Sequence, residues 1–293
     1  MPHFVDSPFL VPFDGSFSLD EASPQRPKDS MNKGHRKARL AELQEDLRDL
    51  QRCLYADNRY SLLLVFQAMD AAGKDSTIRA VMSGVNPAGC QVHSFKQPSP
   101  EELDHDFLWR SAVRLPERGR IGIFNRSYYE EVLVVRVHPE YLDNQRLPER
   151  PETLEGLWQQ RYTSIRDHEA HLARNGTVVV KFWLNVGRDE QRARFIDRID
   201  EPEKNWKFSP GDVAERGHWD AYMEAYEDLL NATSRPEAPW YAIPANSKSY
   251  MRMAVADIIV RTLKSLDLAY PKLPDDEQEQ LATMRAQLMS EDS

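Results

Sequence analysis

The residues best suited to chemistry lie in segment 61–78, where an apolar run ends in a turn of small residues that carries Asp70, Gly73 and Lys74. A run compatible with a helix follows at 76–82. Nucleotide kinases place a strand, a phosphate loop and a helix in this order. Backbone N–H groups at the helix N-terminus then bind phosphate oxygens, and a lysine adds positive charge. The segment therefore predicts a phosphate site.

This loop departs from the usual pattern G-x-x-x-x-G-K-[ST] at two positions. Ala68 stands where the first glycine belongs, and Asp75 stands where the Mg²⁺-binding hydroxyl belongs. The alternative is a buried strand followed by a turn whose lysine points to solvent. The loop alone leaves both interpretations open.

A second group of polar residues, Asn125, Arg126 and Glu130, follows a predicted strand at 121–124. The carboxyl ends of parallel strands face the ligand crevice, so these side chains are expected beside Lys74. The polar side chain at the turn can hold Mg²⁺ or its waters, and the arginine can bind a phosphoryl group through two hydrogen bonds. The alternative is an ordinary cap at a strand end. We favour the functional interpretation because Lys74 already implies the same crevice.

Segment 188–207 has equal numbers of basic and acidic side chains and is predicted to begin as a helix. Arg194 and Arg198 are four residues apart and fall on one side of it. Arg192 falls within a different, apolar arc and is predicted to be structural. A helical lid with arginines suits phosphoryl transfer because it excludes water and covers charge, whereas the alternative is a surface helix with salt bridges. The apolar arc consists of Phe195, Ile196 and Ile199.

Alternating strands and helices predict an α/β fold with a parallel sheet and helices on both faces. We expect the three-layer α/β/α architecture of phosphate-loop kinases, similar to thymidylate kinase, with a helical lid. Beyond the apolar run before the loop, the predicted strands are 90–95, 121–124, 177–184 and 240–243.

Three long helices are predicted around this sheet, beginning near Lys33, at 152–173 and at 249–266. The first carries a leucine stripe that is expected to dock onto the domain. Its early basic residues form a solvated face or, alternatively, contact a phosphate chain. The stripe consists of Leu40, Leu43, Leu47, Leu50 and Leu54, and the basic residues are Lys33, Arg36, Lys37 and Arg39.

These patterns divide the chain into an N-terminal arm at 1–30, a kinase-like domain at 31–270 and a peripheral C-terminal tail at 271–293. The lid occupies about residues 186–220 of the domain. The arm contains several Pro, Ser and Asp residues and is expected to pack on the body with little structure of its own. The tail is acidic and amphipathic at best.

Composition argues against several classes of function. A net charge of −9 over 293 residues argues against a general nucleic-acid or membrane binder, although a local basic groove can still bind a polyanion. Cys53 and Cys90 are too few for a disulfide framework, which favours a reducing cytoplasm. No apolar run is long enough to span a membrane, and residues 1–25 lack the pattern of a secretory signal. His168 and His171 lack a third ligand for zinc.

Several separate motifs together resemble the polyphosphate kinase 2 family, whose members are phosphate-loop phosphotransferases that use inorganic polyphosphate. The resemblance covers about residues 32–266 and is far more specific than the loop alone. Its motifs are QAMDAAGKD at 67–75, SGVNPAGC at 83–90, SFK at 94–96, HDFLWR at 105–110, NRS at 125–127, PEKNWKFS at 202–209 and APWY at 238–241.

The resemblance implies that Asp70 binds Mg²⁺ or orients the acceptor phosphate, that Lys74 holds the phosphates in transit and that Arg126 grips substrate. With Asn125 and Glu130 these residues are the predicted catalytic set, and Asp70 is the predicted metal ligand. Further substrate-binding residues are expected in the loop, near the acceptor nucleotide and on the lid. They are Gly73, Asp75 and Ser76, then Lys96 and Arg110, then Arg194 and Arg198, with Arg136 in addition.

Asn125 departs from the family, most of which has an aspartate there. Together with Glu130 it resembles the subgroup that accepts both AMP and ADP. Because Asn125 is neutral, metal binding is expected to depend more on Asp70 and on substrate phosphates. The implied reaction is direct, reversible, in-line transfer of the terminal phosphoryl group of polyphosphate to AMP and/or ADP, giving ADP or ATP. A homodimer or homotetramer is expected.

Two alternatives remain. An ATP-dependent nucleoside monophosphate kinase would have a similar fold, but the altered loop and the motif at 202–209 argue against it. A catalytically inactive relative that binds polyphosphate as a scaffold has some support from Asn125. The retention of Asp70, Lys74 and Arg126 argues against that second alternative.

Overall fold

The computed structural model describes residues 4–207 and 209–291, with the backbone alone for Lys204 and Lys207. Phe208 of the motif at 202–209, residues 1–3 of the arm and residues 292–293 of the tail lie outside the described residues. Within the described part, no helix is both long and apolar enough to cross a membrane.

One parallel sheet forms the centre of the described chain. Its strands are β1 Ser61–Gln67, β2 Cys90–Ser94, β3 Ile121–Asn125, β4 Thr177–Asn185 and β5 Trp240–Pro244. Neighbouring strands all pair in parallel, in the spatial order β2-β3-β1-β4-β5. The predicted strands are confirmed to within one residue at each end, and the predicted parallel α/β sheet is confirmed.

Helices surround this sheet, and the long predicted ones are confirmed with their ends shifted by one or two residues, as is usual for helix termini. The α-helices are α1 Lys33–Asp57, α2 Lys74–Val81, α3 Pro100–Leu103, α4 Trp109–Ala112, α5 Val134–Val137, α6 Leu154–Arg174, α7 Arg188–Asp200, α8 Pro210–Glu215, α9 Trp219–Thr233, α10 Lys248–Lys264 and α11 Asp275–Glu291. Short 3₁₀ turns lie at Pro87–Gly89, Tyr128–Val132, Pro139–Gln145, Pro202–Lys207 and Arg216–His218.

The strand order places helices on both faces of the sheet. The chain passes from β1 to the edge strand β2 through α2, and from β3 to β4 in the opposite direction through α6. Because crossovers between parallel strands are right-handed, connections that run in opposite directions lie on opposite faces. Helices α1, α2 and α10 pack together, and α5, α6 and α9 form a second group. The result is the expected three-layer α/β/α arrangement.

The central position of β1 in the sheet explains its burial. All of its residues are buried, because it has a strand on each side and helices on both faces. The leucine stripe of α1 docks as predicted: Leu43, Leu47 and Leu54 are buried on the side that meets α10. Arg36 is buried as well and donates from Nε to Oγ of Ser249 at 3.0 Å, so the basic start of α1 is only partly a solvated face.

The arm covers the free edge of β5, which would otherwise expose unpaired backbone groups. The backbone N–H of Val11 donates to the carbonyl of Trp240 at 2.9 Å, and that of Ala242 donates to the carbonyl of Phe9 at 2.8 Å. Val11 is fully buried by this contact. At the other end of the chain, every residue of α11 is exposed, in keeping with a peripheral tail.

The apolar arc of α7 is only partly buried, and the structural role predicted for Arg192 within it is wrong. Ile196 and Ile199 are about half exposed, and Arg192, which was expected to be structural, is exposed too. The helix packs instead on backbone carbonyl groups, which require hydrogen-bond donors rather than apolar side chains. Its buried residues are Gln191, Arg194 and Phe195.

Candidate active site

The phosphate loop, residues 68–73, connects β1 to the N-terminus of α2 through left-handed backbone conformations. Ala71 has a φ of 59° and Gly73 a φ of 106°. A Cβ atom at Gly73 would meet Cε of Met251 at 3.3 Å and Oγ of Ser76 at 3.4 Å, so glycine serves both the backbone angle and the close packing. Ala71 is strained in this region, and neighbouring contacts must offset that strain.

Lys74 is the first residue of α2 and lies inside the loop. Its Nζ donates to the carbonyl oxygens of Ala68 at 2.6 Å and Met69 at 3.4 Å. Burial and the nearby Arg126 lower the pKa of Lys74, and Asp70 opposes that change. The alternative of a lysine pointing to solvent is wrong, since only 9% of Lys74 is exposed.

Asp70, Arg126 and Glu130 form a charged cluster beside the loop. Nη2 of Arg126 donates to Oδ1 of Asp70 at 2.6 Å, and Nη1 lies 3.5 Å from Oε2 of Glu130. Arg126 follows β3 with a φ of 63°, and its backbone N–H donates to the carbonyl of Phe66 at 3.1 Å. This turn carries the guanidinium across to the end of β1. Residues predicted from separate motifs therefore meet in one crevice.

The two carboxylates of this cluster titrate differently. Burial acts to raise the pKa of Asp70, but Lys74 and Arg126 outweigh it and lower that pKa below its ordinary value. At Glu130 burial outweighs the attraction of Arg126 and Lys74, and the pKa is raised. Glu130 is the largest cause of the raised pKa of Arg126. Asp70 is thus the carboxylate that the site holds ionised most firmly.

Asn125 ends β3 and links it to the neighbouring elements. Its Nδ2 donates to Oδ1 of Asp75 at 2.6 Å and lies 3.4 Å from Oγ of Ser94. Asp75 is exposed at the start of α2, and the hydroxyl of the next residue, Ser76, donates to the carbonyl of Gly73 at 3.1 Å. The neutral amide lets Asn125 approach Asp75 without charge repulsion.

A cavity of about 260 Å³ opens beside Arg126 and Glu130. Lys96 and Arg110, which were predicted to lie near an acceptor, both line it. The guanidinium of Arg110 lies 5.2 Å over the ring of Phe95, and its Nη2 donates to the carbonyl of Lys96 at 2.6 Å. Apolar walls with a few fixed charges are typical of sites for small molecules.

Glu131 and Gln145, which the sequence did not single out, line this cavity, and the buried Arg161 holds both of them from behind. Nη1 of Arg161 donates to Oε2 of Glu131 at 2.7 Å, and Nε2 of Gln145 donates to the same oxygen at 2.7 Å. Nη2 of Arg161 donates to Oε1 of Gln145 at 2.5 Å. These contacts join α6 to two 3₁₀ turns, and no local sequence pattern signals them.

Arg198 faces the crevice from the lid. Its Nη1 lies 3.5 Å from Oδ2 of Asp212 in α8, a residue that the sequence did not single out. Arg198 contributes to the lowered pKa of Asp70. After burial, the charge of Asp70 is the largest cause of the raised pKa of Asp212. The Arg198–Asp212 pair is therefore close enough to the loop to influence its charges.

The structure corrects the expected position of Arg194. A spacing of four residues placed Arg194 and Arg198 on one face, but Arg194 is only 5% exposed, and Glu190 and backbone carbonyl groups take up its guanidinium. The guanidinium of Arg194 therefore binds the backbone of the phosphate loop, whereas Arg198 lies beside Asp212.

Arg136 is likewise engaged away from the crevice. Its Nη1 donates to Oη of Tyr162 at 2.9 Å, and its Nη2 donates to the carboxylate of Asp228 in α9. The neighbouring residues Val134 and Val135 line the cavity, but Arg136 is not among its lining residues. These contacts tie α5 to α6 and α9, and the substrate contact expected of Arg136 stays a prediction.

The oxygen donors of the crevice fit Mg²⁺, which prefers carboxylate oxygens. Among residues 4–207 and 209–291, no three His, Cys, Asp or Glu side chains gather into a metal site. Mg²⁺ commonly binds through one or two carboxylates plus substrate phosphates and water, and Asp70 is suited to that arrangement. Asn125 donates through its amide nitrogen, which leaves its oxygen as a further acceptor.

Comparison with known proteins agrees with this geometry. The profile of the family described as Polyphosphate kinase 2 (PPK2) matches residues 30–271. An ADP-polyphosphate phosphotransferase of Rhodopseudomonas palustris is 56% identical over 245 residues, which is 84% of this chain and 85% of that protein. An AMP/ADP-polyphosphate phosphotransferase of Meiothermus ruber is 45% identical over 267 residues, 90% of this chain and 95% of that one.

A solved structure agrees as well. The crystal structure of polyphosphate kinase 2 from Arthrobacter aurescens TC1 superposes with a TM-score of 0.83 and 39% sequence identity. The match covers 92% of this chain and 93% of that chain. The chain described here belongs to the polyphosphate kinase 2 family.

Proposed function

We propose that this chain moves the terminal phosphoryl group of inorganic polyphosphate to AMP and/or ADP, giving ADP or ATP in a reversible reaction. The observation that carries the proposal is the meeting of Asp70, Lys74 and Arg126 at the ends of β1 and β3, next to the cavity lined by Lys96 and Arg110. Relatives named polyphosphate phosphotransferases support the donor and the acceptors.

The two substrates approach from different sides. The acceptor nucleotide occupies the cavity, where Arg110, stacked over the ring of Phe95, offers a fixed positive charge, and its phosphate end is directed at Arg126. The end of the polyphosphate chain lies on the phosphate loop, with Lys74 inside the loop and Arg198 above it on the lid. The reacting phosphates then meet between Lys74 and Arg126.

An oxygen of the acceptor's terminal phosphate attacks the terminal phosphorus of polyphosphate in line. One P–O bond forms while the bridging P–O bond breaks, and a chain shorter by one phosphate leaves. The attacking oxygen is already anionic, so no residue has to remove a proton. Lys74 and Arg126 hold the reactants together and stabilise the charge that spreads over the transferring group. A phosphoanhydride is exchanged for a similar one, so concentrations set the direction.

Asp70 would hold Mg²⁺ in this site, with Asn125 and substrate phosphates as further oxygen donors. A Mg²⁺ ion held there would neutralise part of the charge on the substrate phosphates. Asp70 also anchors Arg126 through the 2.6 Å contact, so one carboxylate orients the cation that faces the acceptor. Its lowered pKa keeps it ionised for both tasks.

The names of the relatives differ on the acceptor, since one names ADP alone and the other names AMP and ADP. The combination of Asn125 with Glu130 favours use of both. The test is nucleotide formation from AMP and, separately, from ADP, with long-chain polyphosphate and Mg²⁺ and without ATP. Reactions without polyphosphate control for disproportionation of ADP.

ATP from both acceptors supports the proposal in full. ATP from ADP alone retains polyphosphate as donor and removes AMP as acceptor. Activity that appears only with ATP as donor overturns the proposal and favours an ATP-dependent nucleoside monophosphate kinase.

A further inference from the structure

The first half of α7 binds the outside of the phosphate loop through Arg194. Nη1 of this residue donates to the carbonyl of Ala72 at 2.5 Å and to that of Ala71 at 3.2 Å. Nη2 donates to the carbonyls of Ala245 at 2.6 Å and Asn246 at 3.3 Å, just after β5. One buried guanidinium thus joins the loop to the neighbouring end of the sheet, where a phosphate would compete with carbonyl groups for it.

Gln191, one turn earlier, extends the same contact. It is 1% exposed, and its Nε2 donates to the carbonyl of Asp70 at 2.9 Å. Its Oε1 accepts a hydrogen bond from Nη1 of Arg216 at 2.8 Å, and the same nitrogen donates to the carbonyl of Arg188 at 2.7 Å. Arg216 is where the lid returns to the body. The two ends of the lid are therefore fastened together at the loop.

These contacts fix the orientation of consecutive peptide groups in the loop. The carbonyls of residues 70–72 all face α7, and a trans peptide directs its N–H group opposite to its carbonyl. The N–H groups of Ala71 and Gly73 are thereby turned to the other side of the loop, away from Arg194. Hydrogen bonds from α7 also offset the strain of Ala71 at its φ of 59°.

We propose that Arg194, supported by Gln191, is a positioning residue: it holds the phosphate loop in the conformation that receives phosphates and fixes the base of the lid, without contacting substrate. This inference rests on the proposed phosphoryl transfer. It separates α7 into a fixed first half and a second half, beginning after Phe195, that carries Arg198 toward the crevice.

The first test compares Arg194→Lys with Arg192→Lys, an exposed arginine on the same helix. Lysine keeps the charge but lacks the planar fork that reaches four carbonyls. Arg194→Lys should lower kcat about 10- to 100-fold, because small displacements of reacting groups have effects of this size, while KM for polyphosphate stays within about twofold. Arg192→Lys should leave both constants unchanged.

A rise in KM for polyphosphate with kcat preserved would overturn the inference, because that result marks Arg194 as a phosphate contact. Chemical rescue gives a second readout. Arg194→Ala leaves a gap shaped for a guanidinium ion, and millimolar guanidinium chloride should restore part of the lost kcat. Loss of activity that guanidinium does not relieve, together with an unchanged Arg194→Lys enzyme, contradicts the assignment.

Gln191→Leu covers the case in which the Arg194 variants do not fold, because it keeps the guanidinium of Arg194 and removes only the hydrogen bonds of Gln191 to the carbonyl of Asp70 and from Arg216. A kcat reduced severalfold with an unchanged midpoint of thermal unfolding supports the inference, and an unchanged kcat overturns it. The wild-type chain assayed beside these variants separates this inference from the proposed function. If only ATP serves as donor, the donor assignment fails, and the same variants with ATP still test Arg194.

Discussion

Arg126 binds Asp70 across 56 positions of sequence, with Nη2 of the guanidinium 2.6 Å from Oδ1 of the carboxylate. The register of the sheet makes this contact possible, because Phe66 of β1 pairs with Asn125 of β3 and the residues that follow the two strands emerge side by side. A parallel sheet thus converts two distant motifs into one charged pair. The predictions below follow from this pair and from the interactions that support it.

Lys74→Ala should reduce kcat at least about 100-fold, the usual effect of removing a positive charge or donor aimed at a transition state. The effect on the free energy of unfolding should be small, because the burial and the nearby Arg126 that lower the pKa of Lys74 offset part of what its hydrogen bonds to Ala68 and Met69 contribute. Steady-state assays and urea denaturation measure the two effects. Lys264→Ala, at a surface lysine paired with Asp46, is the control. A Lys74→Ala enzyme with wild-type turnover would remove Lys74 from the mechanism.

Asn125→Asp should lower stability without Mg²⁺ and increase the stabilisation that Mg²⁺ gives. The substitution places a second carboxylate where the amide nitrogen now lies 2.6 Å from Oδ1 of Asp75, and the like charges repel. A divalent cation relieves that repulsion. The measurement is the midpoint of thermal unfolding with and without Mg²⁺, with Asn125→Ala as the uncharged control. Equal Mg²⁺ shifts in both variants and the wild type would contradict this account of the crevice.

Lys181→Met should destabilise the fold by about 3–5 kcal/mol, because it leaves the buried carboxylate of Glu169 without its cation. Nζ of Lys181 lies 2.6 Å from Oε2 of Glu169, and both side chains are almost completely buried. Adding Glu169→Gln should recover part of the loss. Urea denaturation measures each variant, and Lys264→Met, at an exposed pair, should cost less than about 1 kcal/mol. Similar losses at the two lysines would refute the distinction between buried and exposed pairs.

Asp57 should stabilise the fold in a pH-dependent way. Hydrogen bonds from the side chain of Arg59, with further help from the backbone N–H of Ala269, lower the pKa of Asp57 from 3.8 to about 2. The folded state therefore binds a proton less readily than the unfolded state, so this stabilisation is complete above about pH 4 and is lost as pH falls toward 2.

Free energies of unfolding for the wild type and Asp57→Asn check this expectation. Their difference should be constant from pH 7 to 5 and should shrink as pH falls below about 4. Two results would show that the Arg59 contact does not act through ionisation of Asp57. One is a difference in free energy of unfolding that stays constant down to the lowest pH at which the chain folds, and the other is the absence of any difference at pH 7.

Local sequence patterns were sufficient for the sheet and for part of the site. Continuous apolar runs mark strands such as β1 and β4 because both faces of the sheet are covered. Small residues ahead of Lys74 mark the loop, and the residues that follow β3 are brought beside it by the parallel order alone.

The same patterns could not predict which side chains of the lid face the rest of the domain. Helical spacing correctly separates Ile196 and Ile199 from Arg194, but it does not say which face meets the body. The surface offered to α7 is made of carbonyl groups, so Arg194 and Gln191 are buried while the isoleucines remain half exposed. The contact of Arg136 with Asp228 is similar, since it depends on how α9 packs rather than on any neighbour in sequence.

The most direct test of the central claim is a rapid-quench experiment with ³²P-labelled polyphosphate, ADP and Mg²⁺, without ATP, in which the nucleotide and the protein are separated and counted. Direct transfer between Lys74 and Arg126 predicts label in the terminal phosphate of ATP from the first turnover, and none on the protein. Label that appears on the protein before it reaches ATP, or no labelled ATP at all, would contradict the account.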